Sequence, residues 1–160
     1  MSAAIVKKAR ARWAILIVAL TALAGIGFAA PAYAVPPEVI IVDTFATRTV
    51  TDSTPAFFDV NVPAGSWTAQ ATITGRNNAA TASALSCALL IISESSTNNN
   101  RTSATLGPNG QLGNLALLTA RTVSTTGIVR LVCQGAPNFS VFNVSIMATR
   151  VNTLTRVNLG

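Results

Sequence analysis

Residues 67–74 read Trp-Thr-Ala-Gln-Ala-Thr-Ile-Thr, an unbroken alternation of apolar and polar side chains. A β-strand is the regular structure that puts every second side chain on one face. The stretch therefore predicts a strand with Trp67, Ala69, Ala71 and Ile73 turned to a core and Thr68, Gln70, Thr72 and Thr74 turned to water. A longer run closes the chain at 139–154. There Phe142, Val144, Ile146 and Ala148 share one parity, and Asn143, Ser145 and Thr149 the other. In register with Ala69 and Ile73, Trp67 reads as a core residue rather than a stacking platform.

Strand signals fill the space between. Apolar or alternating runs at 39–43, 46–54, 56–62, 84–93 and 127–135 are broken by the turn signals Pro-Ala-Gly, Arg-Asn-Asn, Gly-Pro-Asn-Gly and Gly-Ala-Pro-Asn. Residues 84–93 are apolar on both parities, as a central strand is. Residues 114–123 fit a strand or a short helix, and the polar tract 93–104 reads as a loop. A sheet with one dry face needs a second layer to cover it. The expectation is an all-β antiparallel β-sandwich of seven to nine strands, immunoglobulin-like or jelly-roll-like in its connections.

Ahead of this pattern, Lys7, Lys8, Arg10 and Arg12 precede an apolar run at 13–30, and Ala32 and Ala34 follow it. A basic segment, an apolar segment and an A-x-A site in that order predict a secretory signal peptide over 1–34. The alternative is retention as an N-terminal anchor, because the run is near spanning length. The expected working part is one secreted, extracellular domain, 35–160, with no stable membrane span after cleavage. Four of the eleven basic residues leave with the leader. Seven arginines against five acids remain, so the net charge falls from +6 to +2. These arginines stand singly, and the clustered basic footprint of a nucleic-acid binder is missing.

Cys87 and Cys133 are the two cysteines. Cys87 shares its parity with Leu85, Leu89 and Ile91, and Cys133 with Val129 and Leu131. In an oxidising compartment such a pair predicts one disulfide, expected here to tie the paired sheets together. A catalytic thiol needs a neighbouring base or cation, and residues 35–160 hold no histidine and no lysine. A zinc site needs about four ligands. The same lack removes serine–histidine and serine–lysine nucleophiles. No G-x-S-x-G elbow, P-loop or G-x-G-x-x-G motif occurs. Glu38, Asp43, Asp52, Asp59 and Glu94 stand apart in sequence and read as solvated acids. No enzyme, metal or other cofactor is expected.

Four stretches carry a resemblance: VPAGSWTAQATIT at 62–74, SCALLI at 86–91, VRLVCQG at 129–135 and VFNVSIMATRVNTLT at 141–155. Together they resemble small secreted β-sandwich proteins of actinobacteria. That resemblance spans 36–154 and implies a leader followed by a compact sandwich with no assigned activity. It carries over no catalytic residue. The expected role is an extracellular binding or structural module, with an extracellular protein or an envelope component as partner. Loops at the ends of a sandwich commonly carry its binding. The 93–104 loop, with Asn98, Asn99, Asn100 and Arg101, is thus the first candidate contact surface. A secreted inhibitor of a foreign hydrolase, its loop braced by the disulfide, is the alternative. A small hydrolase acting through Asp52 and Asp59 is a remoter one. Without lysine to guard its edge strands, the domain is also open to self-association.

Overall fold

The structure, a computed structural model, describes residues 38–93, 96–155 and 157. The expected cleavage site at Ala32 and Ala34 lies outside the described residues. Nine strands form in order: β1 (Val39–Thr44), β2 (Arg48–Val50), β3 (Ala56–Val62), β4 (Gly65–Asn77), β5 (Ser83–Ser93), β6 (Ser96–Leu106), β7 (Leu112–Val123), β8 (Gly127–Gly135) and β9 (Phe139–Val151). In the front sheet β1 and β2 share one side of β9, followed by β4 and β7. The back sheet runs β3-β8-β5-β6.

The pairs β2·β9, β3·β8, β4·β7 and β5·β6 nest in sequence like the rungs of one long hairpin. Rolling that hairpin adds β4·β9 and β5·β8. All pairings are antiparallel, and the wiring is that of a jelly roll rather than an immunoglobulin domain. Residues 114–123 are strand, because they pair along nearly the whole of β4. The alternating run at 46–54 yields only a three-residue strand. Beyond Val50, the Thr51 hydroxyl accepts from the Thr54 amide at 3.1 Å and turns the chain.

The core lies between the inner faces. The middle of the front sheet contributes small residues, Ala69, Ala71 and Ala148. The back sheet contributes larger ones, among them Phe58, Leu85, Leu89, Ile91 and Leu131. Trp67 is fully buried, and its indole N–H donates to the Pro63 carbonyl at 2.9 Å, so the largest core side chain leaves no polar atom unpaired. Gly75 marks a close approach of the sheets: a Cβ there would stand 2.2 Å from Leu85 Cδ2.

Strand β9 departs from the expected parity. Thr72 pairs with Ser145, but Thr74 pairs with Phe142, so β9 carries one extra residue opposite Ile73. Asn143 takes φ +49° at this bulge, a conformation asparagine adopts more readily than most residues. Phe139 and Val141 face inward before the bulge, and Val144, Ile146 and Ala148 after it. Phe142 therefore lies on the outer face beside Thr74, not in the core with Val144.

The disulfide forms, Cys87 to Cys133, but it does not join the two sheets. The two cysteines are direct cross-strand partners on β5 and β8, neighbours in the back sheet. Their Cα atoms are 4.1 Å apart, the narrow spacing of a pair without backbone hydrogen bonds of its own. Inward parity brought both sulfurs to the core face, but β5 and β8 are adjacent, so the bridge closes within one layer.

The tract 93–104 is not a loop. All of it from Ser96 onward belongs to β6, paired with β5 from Ser83↔Leu106 to Ser93↔Ser96. Asn and Ser are poor strand formers, but eleven residues of strongly β-forming partner override them. The tract reads as polar because β6 is an edge strand with much of both faces near water.

One polar side chain organises an end of the sandwich. Asn77, fully buried, donates through Nδ2 to the carbonyls of Thr81 (2.8 Å), Leu106 (3.1 Å) and Gly107 (3.1 Å). Its Oδ1 accepts from the Ala79 amide at 2.9 Å. It thereby fastens the β4–β5 turn to the β6–β7 turn.

Two outcomes are expected. Asn77→Ala should cost about 2–4 kcal/mol, because buried carbonyls lose their donor; urea unfolding of the purified domain measures it. Reduction of the disulfide should lower stability by at most about 4 kcal/mol in the chain-entropy account. It should leave the far-ultraviolet circular dichroism intact, since the β5–β8 backbone pairing persists. A spectrum that collapses on reduction would contradict the placement of the bridge as a brace inside an already paired sheet.

Candidate functional site

The residues expected to form a contact loop are dealt out by strand parity. Asn99 and Arg101 lie on the outer face of the back sheet, opposite Leu90 and Ala88. Asn100 is on the other parity, and its Nδ2 donates to the Leu118 carbonyl on β7 at 2.8 Å. That bond closes one side of the sandwich and occupies an edge carbonyl that β7 would otherwise present to solvent. Asn98 pairs with Ile91 in the backbone register; its side chain lies outside the described residues. The four residues therefore share no single surface. Nor does the disulfide brace a loop, because it sits in mid-strand.

The acids are equally dispersed. Asp43 is on β1, on the outer face of the front sheet opposite Ser145. Asp52 is exposed in the turn after β2. Asp59 is in the middle of β3, on the outer face of the back sheet, where Arg130 Nε and Nη2 reach its two carboxylate oxygens at 2.7 and 2.6 Å. It is thus the cross-strand partner of an arginine rather than an isolated solvated acid. The Arg130 hydrogen bond holds the Asp59 carboxyl below its ordinary range, against desolvation that pushes it up. The pair's small contribution is present at neutral pH and fades as pH falls through that lowered value. Asp52 and Asp59 do not face one another across a cleft. Among the described residues no three of His, Cys, Asp and Glu gather as a metal site would need.

Among the described residues, two larger concave features lie on the outer face of the front sheet. Two adjoining grooves share Thr72. One, of about 340 Å³, is lined by Thr72, Thr74, Asn114, Ala116 and Asn143 above the inward Ile73 and Leu115. The other, of about 190 Å³, is lined by Ile41, Gln70, Ala71, Thr72, Ser145 and Met147. Cross-strand register explains the grouping. Ile41, Met147, Gln70 and Leu118 form one row across the sheet, Ser145, Thr72 and Ala116 the next, and Phe142, Thr74 and Asn114 a third. Small side chains in the middle row leave the depression. The bulge adds Asn143 to its wall.

No charged residue lines either groove; Asp43 stands at the β1 edge, outside both. The Thr74 hydroxyl donates to Asn114 Oδ1 at 2.9 Å, which orients that amide and leaves its N–H groups as donors. Ile41 and Leu118 flank the face, both more than half exposed. Such a surface offers hydroxyl, amide and aliphatic contacts and no charge. Sequence reasoning treated this face only as the solvent side of β4. The available signal was that Thr68, Gln70, Thr72 and Thr74 are all neutral.

No protein-family model and no curated protein matches the chain. Among solved structures, the fold is similar to that of infectious bursal disease virus, Gx strain. There the TM-score is 0.52 and the identity 13%, over 72% of this chain and 32% of the viral one. The Gt strain gives a TM-score of 0.50 and 16% identity over the same shares, 72% and 32%. Eiger TNF from S. frugiperda is more distant, with a TM-score of 0.43 and 9% identity over 60% of this chain and 66% of that one. The chain spans about a third of the viral chains it matches. At these identities the likeness is one of fold: a jelly-roll β-sandwich.

Proposed function

We propose that this protein is a non-catalytic extracellular binding module that holds an extended, uncharged polymer, a neutral polysaccharide, along the outer face of the front sheet. One observation carries the reading: two adjoining depressions that meet at Thr72 and together cross β1, β9, β4 and β7, lined by Ser, Thr, Asn and Gln beside aliphatic side chains, with no charge in their lining. Hydroxyls and amides match sugar hydroxyls as donors and acceptors. The aliphatic side chains match the C–H faces of sugar rings. An anionic polymer would find no counter-charge in the lining of either groove.

The two grooves run diagonally, over about three strand spacings and two side-chain rows, or roughly 20 Å. That length suits several units of a chain rather than one small molecule. Specificity comes from many weak contacts, so affinity is modest and rises with polymer length.

Affinity electrophoresis in gels containing neutral polysaccharides tests this. The wild-type domain should be retarded by at least one of them. Thr72→Arg, at the residue both grooves share, and Ala116→Arg, in the larger one, put a bulky side chain into the depressions and should each weaken retardation by at least tenfold, or about 1.4 kcal/mol. Their circular dichroism should remain that of the wild type. Retardation that survives both substitutions would remove the groove as the site. No retardation by any neutral polymer would remove the function.

A further inference from the structure

The outer face of the back sheet is built differently from the front. Its middle strands carry Leu90, Ile92, Ile128 and Val132, all half-buried, and Phe57 on the β3 edge is 44% exposed. Ala88 is on this outward parity yet almost fully covered. It floors a small dimple whose rim includes Ser86, Arg101, Val132 and Gln134. Side chains on the solvent face of an antiparallel sheet are ordinarily polar. Here the middle strands carry polar side chains only at Ser86, Arg130 and Gln134 among the described residues of this face, and an aliphatic patch lies between them.

The cross-strand rows are informative. One row reads Phe57, Val132, Ala88, Arg101 across β3, β8, β5 and β6. The next reads Asp59, Arg130, Leu90, Asn99, and the third Asn61, Ile128, Ile92, Thr97. A two-fold axis parallel to the strands, above the seam between β8 and β5, lays each row on its own copy in reverse order. Phe57 then meets Arg101 of the other copy, Val132 meets Ala88, Ile128 meets Ile92, Asn61 meets Thr97, and the aliphatic stem of Arg130 lies over Leu90. Large sits on small at the dimple, apolar on apolar at the seam, and polar on polar at the rim.

The charges agree. Arg130 already reaches over the Phe57 ring, 5.2 Å from its centroid, while bonded to Asp59. The Arg101 side chain has no ion-pair or hydrogen-bond partner among the described residues. In the two-fold arrangement its guanidinium comes to the aromatic ring and is one row from the Asp59 carboxylate, which gives it both kinds of partner. The area is adequate. Four strands about 4.8 Å apart and about 30 Å long give a face of roughly 570 Å² in projection. Side-chain relief raises that toward the roughly 800 Å² per partner of a standard interface.

We infer that the outer face of the back sheet is an isologous interface, and that its occupant is a second copy of this chain. This is pairing face to face rather than edge to edge, and it does not depend on what the front sheet binds.

Sedimentation equilibrium of the purified domain over a hundredfold concentration range tests the inference. A mass rising toward twice the monomer is expected. Phe57→Asp and Arg101→Glu, both at exposed positions, should each weaken association by at least tenfold with an unchanged circular dichroism spectrum. Thr72→Arg, on the opposite sheet, should not. Phe57 and Arg101 are three strands apart within one copy. A Phe57→Cys, Arg101→Cys double variant should therefore oxidise to a covalent dimer, not to an internal bridge. A monomer at every concentration would overturn the inference, as would association indifferent to both face substitutions or a double variant that gives no covalent dimer.

Discussion

Every buried contact in this domain depends on strand parity. Because side chains alternate, a slip of one residue between β4 and its neighbours would turn Trp67, Ala69, Ala71 and Ile73 to water and bring threonines into the core. The nested pairing prevents it: β4 is held on one side by β7 and on the other by β9. The one break in parity is therefore informative. At Asn143 the chain spends an extra residue, and the consequence appears on both surfaces of the sheet. Phe142 leaves the core for the outer face, Val144 takes up the inward parity, and Asn143 becomes part of the groove wall. A local backbone irregularity thus connects core packing to the candidate site.

The polar and covalent braces serve different parts of this framework. Asn77 works where backbone pairing has ended, at turns whose carbonyls have no strand to bond to. The disulfide works where pairing is already complete, between the two central strands of the back sheet. Its sulfurs are shut away from solvent, Cys87 at 1% and Cys133 at 0% exposure, so no small reductant reaches them without opening the sheet. It mainly constrains the unfolded chain rather than creating native contacts.

Much of the fold was legible because period-two alternation has a single structural meaning. The inward set of β4, the central position of β5 and the core placement of Trp67 followed directly from it. What was not legible depended on pairing between distant segments. Parity could place both cysteines inward but not say that β5 and β8 are adjacent. The alternation at 139–151 concealed a bulge, since Phe142 and Val144 look alike in sequence and only the register with Thr72 and Thr74 separates them. The polarity of Asn98 to Arg101 suggests a loop because an edge strand with wet faces has a loop's composition. The groove was invisible for a related reason: its lining comes from four strands that are remote in sequence.

The two outer faces divide the surface in a way that the core does not require. Serine, threonine, asparagine and glutamine on the front and aliphatic side chains on the back would be equally compatible with the buried layer between them. With only 10% of its residues charged, the chain keeps neither face separate from other molecules by electrostatic repulsion. Geometry then decides what each can do. If back faces pair about a two-fold axis, the front grooves of the two copies point in opposite directions, separated by four stacked sheets at about 10 Å per step. Two sites that face apart cannot close on one short ligand, so pairing adds nothing to the capture of an isolated oligomer. It does let one dimer hold two strands of a polymer at once, and there the second binding event gains from the effective concentration set by the first. Under the two proposals together, the division of faces would favour cross-linking over simple capture.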